Sequence, residues 1–119
     1  LIHSPLSETE KISSETIMVL LNTTFCIAPA DHRIFRDWVD RVYIPEITRL
    51  ENHECKLLKI DAPAEDCLSF AVQFVLEDSE TAGKWLQATQ PSLISRSFSK
   101  EFGLSPERLP HFSTIMEIL

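Results

Sequence analysis

The run Cys67-Leu68-Ser69-Phe70-Ala71-Val72-Gln73-Phe74-Val75-Leu76 decides the fold class. Leu68, Phe70, Val72, Phe74 and Leu76 make one solidly apolar face, and the alternate positions make a smaller, mixed one. Side chains of a strand alternate between faces, so this period of two predicts a strand over 67–76. Upstream, beyond a hairpin loop at 61–66 that contains Ala62-Pro63-Ala64, residues 55–60 predict a second strand. Its Lys56 and Lys59 suit a sheet edge, where charge discourages unwanted pairing. Residues 17–28 also alternate, with neither register strongly polar, which predicts a central strand covered on both sides.

Helical spacing fills the gaps. Pro29 and Asp31 open a helix, because proline's missing N–H costs nothing in the first turn and an acid there suits the helix dipole. Ile34, Phe35, Trp38, Val39 and Val42 then recur as one apolar face. Pro45 is expected to end or kink this helix, with Ile47 and Leu50 suggesting a further turn or two. After the 67–76 strand, Asp78 or Ser79 caps a second helix that turns Ala82, Trp85, Leu86 and Thr89 inward. Pro91 interrupts it, and a further piece over 91–102 presents Leu93, Ile94 and Phe98 before Gly103, a natural C-terminal stop. Residues 111–119 alternate again and predict a fourth strand.

The resulting order is βαββαβ. Short connections and right-handed crossovers place the strands in the order 4-1-3-2 with both helices on one face, a ferredoxin-like α+β fold. Residues 17–119 form this single domain, while residues 1–16, rich in Ser, Thr and Glu without periodicity, are expected to be a flexible lead-in.

Several function classes fall away. The net charge is −7, with 18 acids against 11 bases. Arg33, Arg36 and Arg41 are interleaved with Asp31, Asp37 and Asp40, so no basic cluster is available to displace counterions from nucleic acid. RNA-recognition modules share the βαββαβ order, but their third strand carries a base, glycines and stacking aromatics. Here Phe70 and Phe74 share the core face, and neither the base nor the glycine is present. Only two glycines exist, Gly83 and Gly103, too few for a dinucleotide or P-loop cradle. The four histidines never fall at ligand spacing on a regular element, so no metal is expected. No cofactor and no catalytic residue are expected either. The apolar runs are too short to span a bilayer, and no basic and apolar leader opens the chain. Cys26, Cys55 and Cys67 form an odd set without a C-x-x-C pair and are expected as free, buried thiols of a cytoplasmic protein.

What remains is a set of polar residues on the central strands, Asn22 and Thr24 on one and Ser69 and Gln73 on the other. They could orient a small ligand, but buried polar groups usually satisfy one another, and pairing across strands or across a subunit interface is the favoured expectation. At these residues the chain resembles a small family of uncharacterised bacterial proteins, catalogued as a domain of unknown function. The resemblance covers about residues 18–118. It rests on Asn22-Thr23-Thr24, Trp38, Tyr43-Ile44-Pro45-Glu46, Gln73-Phe74, Trp85-Leu86, Phe102-Gly103 and Phe112-Ser113-Thr114-Ile115-Met116-Glu117. It implies the fold of dimeric α+β barrel proteins and carries no assigned site residues.

The function expected from these readings is a non-enzymatic, homodimeric interaction or small-ligand-binding module. The alternative is a small cofactor-independent, oxygenase-like enzyme acting on an aromatic molecule, with Asn22, Trp38, Tyr43 and Gln73 as the candidate ligand-binding residues. The homodimer is expected through the sheet face away from the helices, because a bare face of that apolarity exceeds what monomers tolerate.

Overall fold

The computed structural model describes residues 18–49, 54–61, 67–102 and 109–119. The expectations for the lead-in at 1–16, Leu50, the loop at 62–66 and Gly103 lie outside those residues.

Four strands, β1 (Val19–Ile27), β2 (Cys55–Ile60), β3 (Leu68–Leu76) and β4 (His111–Glu117), form one antiparallel sheet in the order β2-β3-β1-β4. This is the expected order read from the opposite edge. Val19 pairs with Leu76 and Glu117, and Phe25 with Phe70 and His111. That register puts Val19, Leu21, Thr23, Phe25 and Ile27 on one face with Phe70, Val72, Phe74 and Leu76, and all are buried.

Two helical arms cover that face. The first runs through α1 (His32–Trp38), a π-helical segment (Val39–Tyr43) and α2 (Ile44–Thr48). The second runs through α3 (Ser79–Ala88), α4 (Gln90–Ser92), a π-helical segment (Leu93–Phe98) and α5 (Ser99–Phe102). Of the two caps the sequence offers, Asp78 caps α3, its Oδ1 accepting from the Thr81 N–H at 2.7 Å.

The π segment corrects the reading of the first arm's inner face. Ile34 is 47 % exposed and Val42 half-buried, whereas Phe35, Trp38, Val39, Tyr43 and Ile47 are fully buried. In a regular helix, residues five apart point about 140° away from each other. The wider π turn, closed by the Ile44 N–H bonding to the Val39 carbonyl, brings Trp38 and Tyr43 onto one side, ring centroids 5.1 Å apart. Pro45 offers no N–H and crowds the carbonyl four residues back, and the ladder opens just upstream of it. The helix therefore continues through Pro45 to Thr48.

A second correction concerns β1. It is central but covered on one face only: Leu20, Asn22, Thr24 and Cys26 are half-exposed on the other. A third concerns the cysteines. Cys26 and Cys67 are joined as a disulfide with their Cα atoms 5.7 Å apart, and only Cys55 is a free thiol. Alternation along two separate strands gave no means to see that these residues meet.

Candidate functional site

Among the described residues, polar side chains of the sheet gather in two places, on its opposite faces. Beneath the helical arms, Gln90 is 5 % exposed and sits among aromatic and apolar neighbours. Its Nε2 donates to Thr23 Oγ1 at 2.8 Å and to the Tyr43 hydroxyl at 2.7 Å. Ser113 Oγ donates to Gln90 Oε1 at 2.9 Å and lies 2.8 Å from Thr23 Oγ1. Because the single Ser113 proton is used on Gln90, Thr23 donates to Ser113, and the bonds close a directional ring through Gln90, Thr23 and Ser113. One amide thus ties both arms to β1 and β4. Burial pushes the Tyr43 phenol up to about 12, against the opposing pull of its hydrogen bonds with Gln90 and Thr23. It is a neutral group at physiological pH.

A second link joins the arms directly. Trp38 Nε1 donates to Ser97 Oγ at 2.8 Å, and Ser97 Oγ donates to the Leu93 carbonyl at 2.6 Å, inside the second π segment. Phe25, Phe35, Trp38 and Tyr43 fill the space around these bonds in mutual ring contact.

The other polar group lies on the face without helices. Gln73 Nε2 donates to Asn22 Oδ1 at 3.0 Å, and Asn22 Nδ2 donates to Thr24 Oγ1 at 3.0 Å. Asn22 and Gln73 face each other in register across β1 and β3. The candidate residues therefore divide, with Trp38 and Tyr43 in the helix-covered core and Asn22 and Gln73 on the bare face. No single ligand touches all four.

Lys56 of β2 and Thr114 of β4 flank the Asn22–Gln73 pair in register, so a polar row crosses the bare face, with apolar residues on either side of it. Leu58 and Ile60 of β2 and Phe112 and Met116 of β4 are exposed, Phe112 by 63 %. Met18 and Ile118, joined by a backbone bond beyond the end of the β1–β4 ladder, are exposed as well. Ala71 lies at the centre, level with Thr24 and Leu58.

Gln90 and Ser113 were not singled out by sequence reasoning. The available signals were the position of Gln90, four residues after the inward Leu86, and that of Ser113 in β4, two residues from Ile115. A separate cleft of about 340 Å³ opens at the surface between the arms, lined by Glu46, Ala88, Thr89, Ser92, Leu93, Arg96 and Ser97. Among the described residues no group of three or more His, Cys, Asp or Glu side chains could hold a metal ion, and no helix is long and apolar enough to cross a membrane.

The profile of a domain of unknown function, DUF4286, matches residues 18–119. The chain belongs to this family. No curated protein matches it. Among solved structures, a dimeric ferredoxin-like protein from an uncultured marine organism aligns with a TM-score of 0.57 at 9 % identity, over 87 % of this chain and 96 % of that one. An uncharacterised NIPSNAP-like domain protein from Burkholderia xenovorans aligns with a TM-score of 0.56 at 14 % identity, over 87 % of each chain. A putative antibiotic biosynthesis monooxygenase from Bacillus cereus aligns with a TM-score of 0.53 at 12 % identity, over 86 % of this chain and 93 % of that one. At such identities the likeness is one of fold, and it establishes the DUF4286 chain as ferredoxin-like α+β.

Proposed function

We propose that this DUF4286 protein is a homodimeric interaction module of the bacterial cytoplasm, in which two copies pack sheet to sheet. The observation that carries this reading is the bare face itself, with Leu58, Ile60, Phe112 and Met116 exposed on either side of a polar row formed by Lys56, Gln73, Asn22 and Thr114. An antiparallel sheet with one solvated face ordinarily makes that face polar, and large apolar side chains exposed together on one face mark an interaction site. Two such faces together would bury on the order of 1,200–2,000 Å². The Asn22–Gln73 pair then lies inside the interface and fixes the register, since a shifted partner would leave buried amides unpaired.

The polar groups beneath the helices support a structural role there, because they bond to one another and are enclosed by rings. They weigh against the oxygenase-like alternative, which needs that space for a substrate. A small ligand is better served by the Glu46–Arg96 cleft, whose volume of about 340 Å³ reaches the range of small-molecule sites. Nucleic acid is not among the proposed partners. The β1 and β3 positions that would stack bases on an open sheet are Asn22, Thr24, Ala71 and Gln73.

Native mass spectrometry of protein taken from its own cells tests the reading. The expected spectrum shows two chains, with any retained small molecule visible as added mass. A spectrum of single chains at micromolar concentration overturns it.

A further inference from the structure

The bare face carries a pair of groups that the dimer reading does not use. Cys26 lies in β1, level with Ser69, and Cys67 immediately precedes β3. Both are half-buried, and Cys67 Sγ lies 3.8 Å from Ser69 Oγ, so the disulfide shares its face with Ser69, Ala71 and Gln73. Its Cα separation of 5.7 Å falls within the span that such bonds accept without moving the backbone. Cys55 is level with Phe74 on the helix-covered side, and burial pushes its thiol up to about 11, so the sheet separates it from the pair. Phe112, level with Thr24 on β4, brings the exposed apolar surface close to the disulfide.

We propose that Cys26 and Cys67 form a thiol–disulfide exchange site, opened by a dithiol reductant, and that sheet-to-sheet pairing holds it oxidised. The proposal rests on the dimer and the cytoplasmic location proposed above. In a cytoplasmic protein a disulfide is ordinarily transient and redox-sensing, not permanent. In the exchange, one thiolate of the reductant attacks a protein sulfur, the protein S–S bond breaks and a mixed disulfide forms. The reductant's second thiolate then attacks its own sulfur in that mixed disulfide and releases the second protein thiol. Two electrons and two protons pass to Cys26 and Cys67, and the dithiol leaves as its own disulfide.

Two physical effects couple this exchange to the dimer. A second copy covers the side from which an attacking thiolate must reach a sulfur, which slows the exchange in both directions without moving its equilibrium. The products also take more room: two thiols stand at nonbonded distance, whereas the disulfide holds its sulfurs about 2 Å apart. An interface packed to interior density resists added volume. Linkage is reciprocal, so a dimer that favours the disulfide is itself favoured by it.

The test equilibrates the full chain in mixtures of reduced and oxidised dithiothreitol at two protein concentrations. One lies well below and one well above the dimer dissociation constant found by sedimentation. Acid quenching, alkylation and intact mass then count free thiols, which should number one in the oxidised chain and three in the reduced one, from the three cysteines present. The ratio of reduced to oxidised reagent that opens half the molecules should rise about tenfold at the dimeric concentration, a typical coupling between linked sites. An unchanged ratio in a protein that does dimerise overturns this inference alone. Three alkylated cysteines in air-equilibrated protein overturn it as well. A chain that sediments as a monomer throughout overturns it together with the dimer reading.

Discussion

Tyr43 is the only tyrosine in the chain, so its ionisation can be followed by phenolate absorbance without interference. Held up to about 12 by burial, against about 10 for a free phenol, it binds its proton more tightly folded than unfolded. The associated stability is therefore complete below about pH 10 and is lost as pH rises toward 12, by about 2–3 kcal/mol in all. A phenolate titration with a midpoint near 10 in folded protein would contradict the buried placement. Gln90→Leu should cost about 1–3 kcal/mol by urea denaturation, because it strips partners from buried hydroxyls; a neutral result would mean that water reaches the ring. Trp85→Ala should cost about 3–5 kcal/mol, since Trp85 is 5 % exposed with its ring edge-on to Phe74 at 5.3 Å. Melting within a degree or two of wild type would contradict that packing. Trp85 was legible because hydrophobicity and helical spacing agree on it. Gln90 was not, since a buried glutamine is marked only by its partners, and those lie 67, 47 and 23 residues away in sequence.

Both helical arms contain a π segment, and each segment supplies groups that hold the arms together, Tyr43 from the first and Ser97 from the second. Such turns are uncommon and concentrate where a helix must present residues that regular spacing would separate. Helical periodicity therefore located the arms and missed the register of the first one, favouring Val42 where Tyr43 turns inward. Proline marked both places, at Pro45 and Pro91, but a proline announces a disturbance without saying which residues it re-aims. Ser97→Ala should leave the Trp38 indole N–H without its hydroxyl partner, at a cost of about 1–3 kcal/mol, read by chemical denaturation. An unchanged midpoint would show that the link between the arms is replaced by solvent. The strands, by contrast, were legible throughout, because a period of two survives every local irregularity seen here. What alternation left open in β4 was which register faces inward; pairing with β1 decides for Ser113 and Ile115.

At the scale of the whole molecule, one sheet face is closed by helices and the other is bare, with apolar residues exposed on either side of a polar row. The order of elements made the first half of that statement readable from sequence. The mixed alternation of β1 pointed to the second, although within a single chain only one of its faces is covered. The meeting of Cys26 and Cys67 was not legible, because it depends on strand register, which the sequence constrains only through burial. The account stands on the bare face being an interface between two copies, and sedimentation equilibrium tests this most directly. Wild type, Ala71→Glu and Phe112→Lys are compared at micromolar concentration, with circular dichroism confirming that each is folded. The account predicts twice the chain mass of 13.6 kDa for wild type and a shift toward single chains for both variants, since each places a charge on the buried face. A wild-type chain that sediments as a monomer, or folded variants that dimerise as tightly as wild type, would contradict it.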